Sequence, residues 1–334
     1  MDISKDKINF LENIVLESRK AQEKLIKLNN SEINNLILKI SEEILNSENN
    51  EFLSKLAVEE TFFGNKNDKM KKNFYKTKNL LNELLNVTTL KPINDKAKNI
   101  TTIKKPIGVI CGVTPSTNPI ATSLNYIINS IKCRNSIIIC PNPRSFRTAT
   151  ELIVLVKKVL KKNKISVALV SLCPKEILRS DLIVNLFNLC DKNIVTGSQV
   201  MIDKVKRSTK PFLVFGKGNA PIIIDENINI KKTAMSIIDS KSFDNSTSCS
   251  ADSVLIIHKK IYNNFIKVFS KSGAYILNES EKKKLDSIYF NKGLISTKLI
   301  GKSAIEILKL INIQSKKARI IAYGLNINQK KHFI

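Results

Sequence analysis

The run Phe243-Asp244-Asn245-Ser246-Thr247-Ser248-Cys249-Ser250 sets one thiol among hydroxyl and amide side chains. Donors of that kind can stabilise a thiolate, the form of cysteine that attacks electrophilic carbon. The other five cysteines (Cys111, Cys133, Cys140, Cys173 and Cys190) sit in or beside apolar runs, where a thiol behaves as a small hydrophobe. Cys249 is therefore the candidate nucleophile. A second candidate lies in Thr114-Pro115-Ser116-Thr117-Asn118-Pro119. Asn118 falls at a strand-to-helix loop, where a side-chain amide can aim N–H at a developing oxyanion. A thiolate and an amide donor suit thioester chemistry on a carbonyl. The same residues also read as a plain helix start, with Asn118 as cap and Pro119 in the first turn. On residue types alone both readings stand.

Other motifs fail on inspection. Gly216-Lys217-Gly218 opens like a dinucleotide fingerprint, but Pro221 occupies the third glycine position. Gly301-Lys302-Ser303 closes like a phosphate loop, yet Ser296 stands where its first glycine belongs. The only histidines are His258 and His332, and there is no CxxC pair, so no zinc site is expected.

The elements that must position these residues follow from periodicity. Residues 5–90 read as helical: Ile8, Leu11, Val15 and Leu25 recur at helical spacing, as do Ile33, Leu36, Ile40 and Ile44. Ser31 is placed to cap the second of these helices and Gly64 to end a later one. After a β-like piece at 100–103 the texture alternates. Strands are predicted at 107–113, 136–140, 167–172, 193–195 and 212–215, and helices at 120–132, 146–162, 176–189 and 200–207. That pattern predicts an α/β fold with βαβ crossovers and an open, doubly wound parallel sheet. Ligands bind such sheets where loops leave the carboxyl ends of the strands. The loops 114–119, 141–145, 196–199 and 216–221 fall there. A second βα region starts near 222–224, carries Cys249 after a helix at 232–242, and continues through a strand at 254–257. Helices near 262–269, 279–285 and 304–310 follow, then a strand at 319–322.

Composition narrows the class. The 334 residues are 43% hydrophobic, enough for one large or two ordinary domains. No apolar run reaches the roughly 18 to 20 residues that cross a bilayer, so no membrane partner is expected. Met1-Asp2-Ile3-Ser4-Lys5-Asp6 lacks the apolar core of a secretion signal, and the cysteines form no disulfide framework, which predicts a cytoplasmic protein. The net charge of +26 is spread through nearly every segment. Lys157, Lys158, Lys161 and Lys162 fall opposite Leu152, Val156, Val159 and Leu160, as on a solvated helix face. With 6% aromatic residues and no Trp there is no stacking platform, so specific nucleic-acid binding is not expected. A basic nucleic-acid binder would betray itself by steeply salt-dependent association. An anionic cofactor would be drawn by the same field.

Eight pieces stand in one order along the chain: Glu60-Thr61 with Gly64 and 69–73; Pro106-Ile107-Gly108-Val109-Ile110; Pro115-Ser116-Thr117-Asn118-Pro119; Arg134-Asn135-Ser136-Ile137-Ile138; Pro141-Asn142-Pro143-Arg144; Thr196-Gly197-Ser198; Gly216-Lys217-Gly218-Asn219-Ala220-Pro221; and Lys241-Ser242-Phe243-Asp244-Asn245 leading to Cys249. In these the chain resembles the aldehyde dehydrogenase superfamily, in its CoA-acylating branch. The resemblance implies a Rossmann-like cofactor domain over 1–221, including the N-terminal helices, and a catalytic domain over 222–334. It implies an oxidoreductase in which Cys249 captures a small aldehyde, Asn118 and the Cys249 N–H stabilise the oxyanion, and hydride passes to NAD or NADP. Cofactor contacts would come from Thr114, Pro115, Thr117, Pro141, Gly197, Ser198, Gly216 and Gly218. Hydrolytic members carry a glutamate at the loop occupied here by Gly216–Asn219. This loop holds Lys217 and no carboxylate, which implies coenzyme A as acyl acceptor. The Pro-Asn-Pro-Arg run also looks like the acylating branch, although Asn142 stands where histidine is common.

Family chains run further, through a Glu-x-Phe motif and a final strand that pairs subunits into a homo-oligomer. Here 328–334 falls near where that portion begins. The resemblance therefore implies a truncated catalytic domain with exposed apolar surface. Either the chain is an inactive relic, a dinucleotide-binding module at most, or a separate chain supplies the rest.

Overall fold

The computed structural model describes residues 3–216, 218–291, 294–296 and 299–324. Lys217 and the tail 328–334 lie outside the described residues. Two compact units divide the chain: Met1–Thr61 with Lys69–Gly216, and Phe62–Asp68 with Lys217–Ile334.

The first unit opens on helices α1 (Ile3–Ile26), α2 (Asn30–Leu45), α3 (Ser47–Thr61) and, from Lys69 onward, α4 (Lys66–Leu84). The α2 cap is Asn29 rather than the expected Ser31. Its side chain accepts from Glu32 N at 2.9 Å while Glu32 Oε2 takes the Asn29 N–H at 2.7 Å, a reciprocal pair that Ser31, inside the first turn, is too late to make. Helix α3 stops at Phe62, which itself turns left-handed at φ +59°, so Gly64 is not the terminator.

A small antiparallel pair, β1 (Ile93–Asp95) and β2 (Ile100–Thr102), precedes the main sheet. That sheet is wholly parallel: β3 (Val109–Thr114), β4 (Ser136–Pro141), β5 (Val170–Leu172), β6 (Lys192–Thr196) and β7 (Phe212–Phe215), in the order β5-β4-β3-β6-β7. Alternate strand residues serve opposite faces. Ile110, Ile137 and Ile139 pack with α2, α5 (Pro119–Lys132) and α6 (Phe146–Lys162). Val109, Cys111, Val113, Ile138 and Cys140 pack with α1, α7 (Lys175–Arg179), α8 (Ile183–Leu189) and α9 (Gln199–Val205). One predicted helix is thus two, interrupted at Ser180, and one predicted strand begins as a 3-10 turn over Val167–Leu169. On α6 the apolar stripe is buried and Lys158, Lys161 and Lys162 are exposed as the spacing predicted, whereas Lys157 is half-buried. All four residues of the edge strand β7 are exposed, by 37 to 53%.

Helix α6 has no side-chain cap from its own N-cap residue, Ser145. Glu60 takes that part from α3. Its carboxylate accepts from Arg147 N at 2.8 Å, Thr148 N at 2.9 Å and Thr148 Oγ1 at 2.8 Å. An anion on the first-turn N–H groups is favourable both as hydrogen bond and against the helix dipole. Glu60→Ala is expected to lower stability by about 1–2 kcal/mol in urea titration, with Glu60→Gln losing less. A change within about 0.3 kcal/mol would deny the carboxylate that part.

The second unit pairs β8 (Ala220–Ile224) with β9 (Asp252–Ile257) in parallel, around α10 (Ile230–Ser242) and α11 (Tyr262–Lys271). The strand β10 (Ala274–Ile276), helices α12 (Glu279–Tyr289) and α13 (Ala304–Leu310), the pair β11 (Phe290–Asn291) and β12 (Leu294–Ile295), and β13 (Ile320–Ala322) complete it. Strand β10 runs parallel to β13. On the outer face of β8–β9, the register partners Ile223 and Ile256 are 81% and 54% exposed. Among the described residues no helix is long and apolar enough to cross a membrane.

Candidate functional site

The topology of the first unit creates a crevice. From β3 the chain winds outward through β4 and β5 in one direction, and from β6 to β7 in the other. The switch falls between β3 and β6, and ligands of such sheets lie outside the carboxyl ends of those strands. Thr114, Pro141, Thr196 and Phe215 end their strands there, with Thr114 registered against Pro141 and Thr196 against Phe215. The loops carrying Pro115, Thr117, Gly197, Ser198 and Gly216 are thereby gathered on one edge.

Their surroundings differ. Thr114 is 1% exposed; its hydroxyl accepts from Ser123 Oγ at 3.3 Å and its carbonyl from Asn142 N at 2.9 Å. It braces the loop from beneath. Pro115, Ser116, Thr117 and Asn118 are half-buried at the loop's surface. At β6, Tyr126 Oη and Thr196 Oγ1 share a hydrogen bond of 2.5 Å. Among the described residues, a Cβ added to Gly197 would meet only Met201 Cβ, at 4.0 Å, which leaves open space over that backbone. Ser198 and Gly216 are exposed.

Asn118 does hold the N-cap position of α5, with Pro119 in the first turn, but its side chain makes no bond to the helix. Its Oδ1 instead accepts from Lys72 Nζ at 2.8 Å, and its Nδ2 donates to Thr117 Oγ1 at 3.3 Å. Capping is therefore not what this amide does. Lys69 Nζ donates to the Thr117 carbonyl at 3.2 Å. Residue types gave no signal for either lysine: Lys69 and Lys72 lie in a lysine-rich helix, and only the family run 69–73 singled them out.

In the second unit, Cys249 is exposed, whereas Cys111, Cys140, Cys173 and Cys190 are buried. Burial pushes the Cys140 thiol well above its ordinary value. Cys133 departs from expectation. It follows the end of α5 on the surface, although its partly enclosed thiol is also raised by desolvation.

The backbone before Cys249 is unusual. Asp244, Asn245 and Ser246 take φ of +49°, +50° and +61°, three successive left-handed residues of which none is glycine. Such conformations persist only where the surroundings over-determine them. Here the segment 62–68 does so. Asp244, fully buried, accepts from Asn65 N at 2.9 Å and from Thr247 Oγ1 at 2.6 Å, while its own N–H donates to Asp68 Oδ2 at 2.8 Å. Asn65 Nδ2 joins the same Asp68 oxygen at 2.7 Å. Asn245 Nδ2 and Gly64 N both donate to the Gly301 carbonyl, each at 2.9 Å. Thr247 thus uses its one O–H on Asp244, so part of the polar run read as thiolate stabilisation is the scaffold of the turn. Gly218 also lies close, where a Cβ would fall 3.3 Å from the Cys249 carbonyl oxygen. The structure brings these two candidates together. Among the described residues no three His, Cys, Asp or Glu side chains converge to hold a metal.

Residues 3–280 match the model of the aldehyde dehydrogenase family. A sulfoacetaldehyde dehydrogenase (acylating) of Cupriavidus necator is 30% identical over 306 residues, covering 91% of this chain and 62% of that protein. The chain thus spans 62% of the length of that relative. The crystal structure of an acetylating aldehyde dehydrogenase from Geobacillus thermoglucosidasius superposes with a TM-score of 0.89 at 29% identity, over 98% of this chain and 72% of that one. A Rhodopseudomonas palustris propionaldehyde dehydrogenase with bound propionyl-CoA gives 0.83 at 28% identity, over 95% and 70%.

Proposed function

Because the chain belongs to the aldehyde dehydrogenase family, we propose that it oxidises a short aldehyde to an acyl-CoA through a thioester on Cys249. Residues 1–221 serve as the cofactor domain on this reading, and those from 222 as the catalytic domain. The observation that carries it is the exposed thiol of Cys249 at the end of a turn over-determined by Asp244, Asn65 and Asp68.

A dinucleotide fits the first unit on chemical grounds. Open space over Gly197 lets a pyrophosphate approach the backbone, and the exposed Ser198 offers a hydroxyl donor. Pro115, Thr117, Pro141, Gly216 and Gly218 are assigned to the same cofactor, with Thr114 bracing their loop. Bound NAD or NADP supplies the hydride acceptor, and bound coenzyme A the thiol that carries the acyl group away.

The chain's own residues do the rest. The Cys249 thiolate attacks the aldehyde carbon, forming a C–S bond while the carbonyl π pair moves onto oxygen. Asn118 Nδ2 donates to that oxygen as charge develops. The oxyanion collapses as hydride leaves, and an acyl thioester remains on Sγ. The run Gly216-Lys217-Gly218-Asn219 contains no carboxylate to activate water, which favours the thiol acceptor over hydrolysis.

The test is acyl-CoA formation from acetaldehyde, propionaldehyde or sulfoacetaldehyde with NAD or NADP and coenzyme A, read by mass spectrometry. In parallel, iodoacetamide should alkylate Cys249 first, Cys133 more slowly, and the four buried thiols only on unfolding. No acyl-CoA with any pair of cofactor and aldehyde, and Cys249 alkylated no faster than Cys133, would remove the proposal. Dinucleotide binding without turnover would leave a binding module in its place.

A further inference from the structure

Two lysines of α4 are turned away from water. Lys69 and Lys72 are each 3% exposed, and both ammonium groups end on the loop that follows β3. Burying an ammonium is costly unless oxygen acceptors replace its hydration, so two such groups converging on Thr117 and Asn118 hold that loop firmly. We propose that Lys72 is a positioning residue that fixes which way the Asn118 amide faces. This rests on the reading of Asn118 as the oxyanion donor.

The physical basis is the asymmetry of an amide. Rotated by half a turn, Asn118 would present its carbonyl oxygen where its N–H groups are needed, and would repel the developing oxyanion. A lysine ammonium is a donor only, so it can pair with Oδ1 and never with Nδ2. At 2.8 Å from Oδ1, Lys72 therefore selects the orientation in which Oδ1 faces the ammonium and Nδ2 faces away from it. Drawing electron density toward Oδ1 also makes the amide N–H a better donor, because hydrogen bonds in a chain polarise one another. Lys69 bonds a backbone carbonyl instead and has no such hold on the amide.

The experiment uses the full chain labelled with 15N-asparagine. The Asn118 side-chain resonance is identified by its loss in Asn118→Ala. In parallel, the burst of p-nitrophenolate from p-nitrophenyl acetate reports acylation of Cys249, without cofactor. Lys72→Met should move the Asn118 resonance, speed its proton exchange and slow acylation about tenfold. Lys72→Arg, which keeps a donor, should restore most of both, and Lys69→Met should leave the resonance near its wild-type position. A folded Lys72→Met protein whose Asn118 resonance and exchange are unchanged overturns the proposal. If Lys72→Met does not fold, the wild type decides. A held amide should exchange its protons about tenfold more slowly than the exposed Asn125, and equal rates overturn the proposal. Should Asn118→Ala leave acylation intact while Lys72→Met still moves the amide, the oxyanion reading fails and the positioning stands.

Discussion

Asn118→Ala is expected to slow acylation of Cys249 by about 10²–10³-fold, the usual consequence of removing one donor from an oxyanion site. The expectation follows from what the side chain is doing. It occupies a helix N-cap without capping the helix, and its carbonyl oxygen is held by a buried ammonium. An amide so restrained loses little freedom when a substrate oxygen takes its N–H, and its donors act most strongly where negative charge appears. Asn118→Asp should be worse still, since a carboxylate repels an oxyanion. The p-nitrophenyl acetate burst measures the step directly. A rate within about twofold of wild type would show that Asn118 is not the donor. Asn118→Ala also takes an acceptor from the buried Lys72 and should lower the melting temperature, whereas Asn118→Asp keeps an oxygen for Lys72, so the pair separates lost stability from lost catalysis.

Gly64→Ala should destabilise the second unit by about 3–5 kcal/mol, near the top of the range for single substitutions. Two effects add. Gly64 takes φ +73°, where a Cβ is strained, and that Cβ would fall 1.8 Å from Asp244 Oδ1. The carboxylate cannot retreat cheaply, because it is fully buried and bonded to Asn65 N and Thr247 Oγ1. Displacing it releases the left-handed run 244–246, and with it the position of Cys249. Urea denaturation followed by circular dichroism gives the stability loss, and alkylation of Cys249 follows the loop. Gly324, with none of the described residues within 4 Å of its added Cβ, is the control, and Gly324→Ala should lie within about 0.5 kcal/mol of wild type. If Gly64→Ala matched that control, the account of the cysteine turn would be wrong.

Where the fold departs from the sequence pattern, each departure has a physical reason. Asn29 displaced Ser31 as a cap because either residue suits the role and only the partner, Glu32, decides between them. Phe62 ended α3 in place of Gly64 because an aromatic residue gives no sign of a left-handed backbone, whereas glycine always does. Cys133 lies beside an apolar run in the sequence, but it follows the last turn of α5 at the surface. Glu60 showed no trace of its part at α6, 87 residues away in the chain.

The sequence by itself determined the alternation of strands and helices, the parallel sheet and its loops, and the polar run that sets Cys249 apart from the other five cysteines. These are properties of period and neighbourhood, carried by residues close together in the chain. Only the tertiary structure decided that Asn118 turns to Lys72 instead of to its helix, and that Asp244 is locked by Asn65 and Asp68. Those outcomes depend on partners 46 and 179 positions away, and a buried polar group takes whichever partner the fold delivers.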